Sequence, residues 1–99
     1  MTDFLIYAED KPDSLHIRQA ARADHIAWLK APSDVKLLTA GPWLDAQGDM
    51  RGSLVIVEAD TQKTVEDWLA TDPYKSAGLT TNVTVKPYIW AIGRPSSHN

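Results

Sequence analysis

The order of its apolar segments constrains the fold of this chain more than any other sequence feature. Four runs rich in β-forming residues lie at 4–8, 35–40, 53–59 and 82–92. The segment between the second and third runs, residues 45–52, is too short for a crossover helix, so these two strands should be antiparallel. With helices after the first and third runs, the order β-α-β-β-α-β predicts a ferredoxin-like α+β fold with both helices on one face of the sheet. Residues 1–99 are expected to form this single domain.

Capping residues and a proline delimit the first helix. It is expected to begin near Leu15, where Asp13 or Ser14 can accept hydrogen bonds from the free N–H groups of the first turn. It should end at about Lys30, because the residue before Pro32 avoids helical geometry.

Two further helical signals follow the third strand. Asp60 or Thr61 can cap a second helix, whose apolar residues repeat at i, i+3 and i+4. These residues are Val65, Trp68 and Leu69. Asp72 is a favoured cap and Pro73 a favoured first residue, so the pair predicts a short turn of helix that ends at Gly78.

Prolines and glycines also predict where strands end. Gly41 and Pro42 are expected to close the second strand. Pro87 places the last strand at a sheet edge or at a bulge, because proline has no N–H to donate. The polar tail, residues 93–99, is expected to be frayed.

Composition and charge exclude several classes of function. The net charge is −3 and no basic cluster is present, which disfavours nucleic-acid binding. The chain has no cysteine, which excludes disulfides and thiolate chemistry and suits a cytoplasmic protein. No run reaches the roughly 18 apolar residues of a membrane span, and the N-terminus lacks the pattern of a signal peptide. The histidines at 16, 25 and 98 lack metal-ligand spacing, and no glycine-rich phosphate loop is present, so no metal or other cofactor is expected.

The strands themselves predict a partner. Residues 53–57, SLVIV, and 88–92, YIWAI, are apolar on both alternations, so the sheet face opposite the helices also needs cover. In so short a chain a second copy is the expected cover, which gives a homodimer through the sheet face. The four tryptophans are expected to lie under that partner or to line a cleft.

One face of the first helix mixes apolar and basic side chains. At about 100° per residue, His25 falls between Ile17 and Leu29 on this face. Arg18 and Arg22 lie beside it. Because a buried unpaired arginine is costly, these side chains should meet an anion or open onto water. A polar cleft between helix and sheet satisfies that requirement and would attract an anionic or carbonyl-bearing ligand.

The residues alone leave two interpretations of this face open. His25 can be a structural histidine, with arginine stems passing over a short apolar face, or it can be a general acid or base. Asp72 is the first candidate for a carboxylate that orients the ring, but helix capping alone also explains an aspartate there. Asp34 and Asp45 are weaker candidates. Three residues could shape the wall of the cleft or have purely structural roles: Gly41, Tyr74 and Gly78.

A series of motifs matches a known family over nearly the full length. In order they are FLIYAEDKPDSL at 4–15, Arg18, the R-x-x-H of Arg22 and His25, LLTAGP at 37–42, GSLVIVEA at 52–59, A-x-DPY-x-x-AG at 70–78 and VTVKPY at 83–88. With these motifs the chain resembles YciI-like proteins, also called YCII-related domain proteins. Trp43, Trp90 and the short loop at 45–52 depart from the family pattern and are expected to alter the mouth of the cleft.

The resemblance implies a ferredoxin-like fold that dimerises through its sheet into a dimeric α/β barrel. It also implies a cleft in which His25 and Asp72 form a catalytic pair. The best-understood relative type is a dehydrochlorinase that acts on a chlorinated hydroxyquinol without a cofactor. Muconolactone isomerases and cofactor-free monooxygenases share the wider fold.

Residues and resemblance together predict a small cofactor-independent enzyme. His25, oriented by Asp72, would move a proton in a lyase, isomerase or dehydrochlorinase-like step on a small cyclic, anionic metabolite. Arg18 or Arg22 would hold a carboxylate or enolate oxygen of that substrate. Two alternatives remain: a non-catalytic dimeric domain that binds a small molecule, and a cofactor-free monooxygenase of the dimeric α/β barrel type.

Overall fold

The computed structural model describes residues 1–96. The four strands are β1 (Thr2–Asp10), β2 (Lys36–Leu44), β3 (Met50–Ala59) and β4 (Thr80–Tyr88). The three helices are α1 (Leu15–Lys30), α2 (Gln62–Leu69) and α3 (Pro73–Ser76). All neighbouring strands pair antiparallel in the order β2-β3-β1-β4. The predicted ferredoxin-like α+β fold is therefore confirmed.

Alternation along the strands separates two faces of the sheet. On β1, Phe4 and Ile6 are buried and belong to the hydrophobic core, together with Val55 and Val57 of β3. Leu29 of α1 closes the same cluster from the helix side. The residues between them, such as Tyr7, lie on the opposite face, which we call the outer face. The core thus lies between sheet and helices.

The two central strands, β1 and β3, are longer than the sequence pattern predicts. β1 starts at Thr2 and continues to Asp10 rather than ending at residue 8, because Glu9 and Asp10 pair with β4. β3 begins at Met50, inside the stretch predicted as loop. The longer β1 carries its alternation to Asp10, so this carboxylate is buried on the helix face.

The prediction that Gly41 and Pro42 close β2 is wrong. The strand continues to Leu44, with Gly41 opposite Leu54 and Pro42 opposite Ser53. Proline is tolerated there because β2 is an edge strand and its missing N–H interrupts no second ladder. β4 is the other edge, which confirms the edge position predicted from Pro87.

Trp43 lies across the outer face of the sheet. Its ring stacks on Tyr7 with centroids 5.3 Å apart, and its Nε1 donates a hydrogen bond of 3.0 Å to the carbonyl oxygen of Ala8. The indole passes directly over Gly52, where a Cβ atom would collide with the Trp43 ring and with the Ala8 carbonyl oxygen. A glycine is therefore required at this crossing point.

The last strand is shorter than predicted, and the tail that follows it is anchored. β4 ends at Tyr88 rather than at residue 92. Trp90 Nε1 and the Arg94 guanidinium both donate hydrogen bonds to Asp3, and Arg94 also reaches Glu58. The hydrogen bonds from Arg94 lower the pKa of the Asp3 carboxyl. The prediction of a frayed tail is wrong up to Arg94, and its residues 97–99 lie outside the described residues.

The helices begin where the capping residues predicted, but α1 lacks the expected side-chain cap hydrogen bond. Thr61 accepts a hydrogen bond from the N–H of Thr64 at the start of α2, and Asp72 accepts one from Tyr74 at the start of α3. At α1 the Ser14 hydroxyl makes no cap hydrogen bond and instead donates to the Pro12 carbonyl. Within residues 1–96 no helix is both long and apolar enough to cross a membrane.

Candidate active site

A histidine and an aspartate from two different helices meet between α1 and α3. His25 Nδ1 lies 2.9 Å from Asp72 Oδ1, with the histidine side chain 9% and the aspartate side chain 16% exposed. A carboxylate oxygen accepts hydrogen bonds, so Nδ1 is the donor. In a neutral imidazole this leaves Nε2 unprotonated, and no group among residues 1–96 hydrogen-bonds it.

Asp72 reaches this position because it also caps α3. Its Oδ1 accepts the backbone N–H of Tyr74 at 2.9 Å, and the same oxygen accepts His25 Nδ1. Pro73, at the first helical position, fixes the backbone that follows. Asp72 therefore both caps α3 and contacts His25, and it uses Oδ1 for both.

Aromatic rings enclose the imidazole of His25. Tyr74 stacks on it with centroids 3.8 Å apart and planes 11° apart, and Trp28 lies 5.6 Å away at a tilt. Trp28 in turn stacks on Trp68 at 4.0 Å and donates a hydrogen bond to the Thr71 hydroxyl. These contacts place two of the four tryptophans beside the histidine, as the cleft prediction allowed.

Arg18 has a buried anionic partner that the sequence analysis did not identify. Its Nε and Nη2 donate to the two oxygens of Asp10 at 2.7 and 2.9 Å, and Nη2 also donates to Ser53 Oγ at 2.9 Å. Burial disfavours the charged guanidinium, but the hydrogen bonds and attraction from Asp10 outweigh it and raise the pKa of Arg18. The two side chains, each 4% exposed, therefore form a buried ion pair.

A signal for this pair was present in the sequence. Asp10 falls on the same alternation as Phe4, Ile6 and Ala8, and a strand extended by two residues would have placed it on the helix face. Ser53 follows the alternation of β3 in the same way. The polar residues around Pro12 predict a turn, so the sequence pattern alone ends β1 before Asp10.

Arg22 remains available for a ligand. It is exposed on α1 and has no hydrogen bond or ion pair with any of residues 1–96. With Arg18, His25, Gly41 and Tyr74 it lines a cavity of about 120 Å³. Apart from its chain neighbours, no atom of residues 1–96 lies within 4 Å of the position of a Cβ at Gly41, so the strand is open there. The structure thus brings these five of the predicted site residues to one cavity, although Arg18 is already paired with Asp10.

A second and larger cavity opens on the other side of the histidine. It measures about 590 Å³ and is lined by His25, Asp72 and Tyr74, by Trp28 and Trp68, and by apolar residues of the sheet such as Val83. Its volume is that of a site for a small organic molecule. Glu66 and Lys75 supply charged groups at its wall.

The remaining sequence candidates lie elsewhere. Asp45 accepts the backbone N–H groups of Gln47 and Asp49 within its own turn. Gly78 has a positive φ of 78° after α3 and lines neither cavity, which fits its turn role. Asp34 is exposed and also absent from both cavities. Among residues 1–96 no three His, Asp or Glu side chains are grouped to hold a metal ion.

Comparison with known sequences matches this chain to one family. The profile described as YCII-related domain covers residues 2–89. An uncharacterised protein from Haemophilus influenzae is 38% identical over 92 residues, which is 86% of this chain and 94% of the relative. The protein YciI of Escherichia coli shows the same identity and coverage.

Two solved structures are similar to this chain. The 5-chloro-2-hydroxyhydroquinone dehydrochlorinase of Burkholderia phenoliruptrix, solved with 2,5-dihydroxybenzoquinone, is 36% identical with a TM-score of 0.75. The match covers 92% of this chain and 95% of that chain. A candidate antibiotic biosynthesis monooxygenase from Bacteroides thetaiotaomicron matches over 92% of this chain and 90% of its own with a TM-score of 0.58. At 13% identity it shows the fold alone.

Proposed function

The chain belongs to the YCII-related domain family, and on that premise we propose that it is a small cofactor-independent enzyme that moves a proton on a cyclic substrate. The observation that carries the proposal is the 2.9 Å contact between His25 Nδ1 and Asp72 Oδ1 at the wall of a 590 Å³ cavity. A buried imidazole with one nitrogen oriented by a carboxylate and the other unpartnered is the arrangement of a general base.

In the proposed step, Nε2 of His25 takes a proton from the bound ring. Asp72 holds the proton on Nδ1 and balances the charge of the imidazolium that forms. Arg22, which lines the smaller cavity beside His25 and has no ion pair among residues 1–96, stabilises a substrate oxygen that reaches that cavity and on which negative charge develops. Arg18 is not assigned this role, since Asp10 already neutralises it.

The substrate class is a small hydroxylated ring with anionic character. The dehydrochlorinase relative acts on a chlorinated hydroxyhydroquinone, and its structure holds a dihydroxybenzoquinone. In such an elimination the base removes a proton and chloride leaves with its bonding electron pair, so the net loss is HCl. The aromatic and apolar lining of the larger cavity suits a planar ring of this size.

Substitution of Asp72 by asparagine tests the pairing without removing the helix cap. Asparagine caps helices as well as aspartate does, so Asp72→Asn should leave the urea midpoint nearly unchanged. It should lower kcat for a chlorinated hydroxyquinol by about 10²-fold, because the amide oxygen can still accept the Nδ1 proton but carries no charge to balance the imidazolium. Wild-type kcat in Asp72→Asn would contradict the proposal.

The other two functions predict different outcomes in the same assay. A binding domain would be stabilised against heat by the quinol analogue and would form no product. A monooxygenase would consume oxygen during turnover, whereas a dehydrochlorinase or isomerase consumes none. Chloride release and oxygen uptake therefore separate the three functions in one experiment.

We further propose that a second copy of this chain covers the outer face. Leu54 lies at its centre, opposite Tyr7 of β1 and Gly41 of β2, and Tyr7 is 38% exposed. An antiparallel sheet with an apolar second face requires such cover. Light scattering after gel filtration should give twice the 11.0 kDa chain mass for the wild type and for Lys63→Glu on α2. Leu54→Glu should give the monomer mass; a monomeric wild type would contradict the dimer.

A further inference from the structure

Tyr74 separates Arg18 from His25 along α1. These two residues are seven positions apart, which at about 1.5 Å per residue is about 10 Å along the helix axis. The Tyr74 ring centroid lies 3.8 Å from that of His25 and 4.7 Å from the guanidinium carbon of Arg18. The ring therefore fills the gap, with the imidazole on one face and the guanidinium on the other.

Arg18 holds this stack of guanidinium, tyrosine ring and imidazole in place. Its guanidinium is held by Asp10 through two hydrogen bonds and by Ser53 through a third, so it cannot turn away from the tyrosine. A cation over an aromatic face is attracted by the ring quadrupole, and more strongly when both are buried. Burial raises the pKa of the Tyr74 phenol, so the ring stays neutral at physiological pH. The hydroxyl has no hydrogen bond with residues 1–96, so the ring itself makes the contact.

One hydrogen bond does not fix the orientation of an imidazole. The contact between Nδ1 and Asp72 sets the direction of one ring atom but permits rotation about the line that joins donor and acceptor. The flat contact with Tyr74, at 11° between planes, removes that rotation. The N–H of Tyr74 also holds Asp72 Oδ1 in place, so one residue fixes both the acceptor and the ring plane.

We propose that Tyr74 and Arg18 are positioning residues for His25: the guanidinium supports the tyrosine ring, which fixes the imidazole plane and aims Nε2 at the bound substrate. The inference rests on the proposed role of His25 as the proton carrier. It assigns Arg18 to the support of the base and leaves oxyanion binding to Arg22. Neither Tyr74 nor Arg18 needs to touch the reacting atoms.

Nitrogen-15 NMR of the imidazole tests the positioning without a substrate. In the wild type, His25 should carry its proton on Nδ1, and its carbon-bound protons should be shifted upfield of those of exposed His16 by the Tyr74 ring. Tyr74→Leu should lose the upfield shift and show a mixture of tautomers. Tyr74→Phe keeps the ring and should restore both signatures. The tautomer is the readout of positioning, because the upfield shift depends only on the presence of an aromatic ring over the imidazole.

Turnover gives the second readout. Tyr74→Leu should lower kcat by about tenfold to a hundredfold with a smaller change in KM, because a misaimed base affects the step after binding. Tyr74→Phe should recover most of the loss. His16→Ala, on the exposed side of α1, is the matched control and should behave as wild type.

Each outcome separates the positioning from the proposed function. A Tyr74→Leu protein with the wild-type tautomer and wild-type kcat overturns the positioning. A wild-type His25 without the upfield shift also overturns it, and that measurement needs no variant to fold. Turnover that survives His25→Ala overturns the proposed function and leaves the NMR result intact.

Discussion

Replacing His25 by alanine is expected to lower kcat for a proton-transfer substrate by about 10³-fold or more. General acid–base catalysis by a positioned side chain contributes about 10²–10⁴-fold, and here the imidazole lines the larger cavity while its Nε2 has no hydrogen bond among residues 1–96. The loss should appear in kcat more than in KM, since Arg22 and the cavity wall remain to bind the ring. Initial rates of chloride release or product absorbance would measure it.

Two controls make the result specific to His25. His16→Ala removes an exposed histidine from the same helix and should retain full turnover. Free imidazole added to His25→Ala should recover part of the lost rate, because the substitution leaves a space beside Asp72 and Tyr74 of the size of the ring. Turnover equal to wild type in His25→Ala would exclude the histidine as the base.

Breaking the ion pair between Arg18 and Asp10 is expected to produce the largest loss of stability. Removal of one partner of a buried pair costs about 3–5 kcal/mol, because the other charge stays buried without compensation. Asp10→Ala leaves the Arg18 guanidinium with one hydrogen bond to Ser53. Since small domains are stable by about 5–15 kcal/mol, urea unfolding should show a large fall in midpoint.

A double variant distinguishes buried charge from lost packing. Asp10→Ala with Arg18→Met removes both charges and keeps much of the side-chain volume, so it should be more stable than Asp10→Ala alone. Asp67→Asn breaks the exposed pair with Lys63 and should leave the urea midpoint within error. A small effect of Asp10→Ala, similar to that of Asp67→Asn, would contradict the buried-pair interpretation.

Local patterns predicted the elements of this fold but not their ends. The bounds of α1 agree with the expected Leu15 and Lys30, and Thr61 caps α2 as one of two candidates. Strand ends were wrong because they depend on pairing: Pro42 interrupts no ladder only because β2 lies at an edge. The prediction of a frayed tail failed for the same reason, because Arg94 is held by hydrogen bonds to Asp3 of the distant strand β1.

The sequence identified the residues of the candidate site better than it did their contacts. The helical periodicity placed Arg18 and His25 on one face of α1, and both are buried there. The sequence predicts a ligand for Arg18, because it places Asp10, the actual partner of Arg18, in a turn. The stack of Tyr74 on His25 joins residues from α1 and α3, a contact that no local spacing encodes.

The sequence by itself determined the order of elements, the cationic face of α1 and the capping role of Asp72, because these follow from short-range periodicity and backbone chemistry. Tertiary structure alone decided which charges are neutralised. When α1 and α3 pack on the sheet, they bring Asp10 to Arg18 and Asp72 to His25, and they leave Arg22 without a partner among residues 1–96. The sequence alone cannot show this pairing. An unpaired charge is costly only where it is buried, and these side chains become buried only when distant segments pack together.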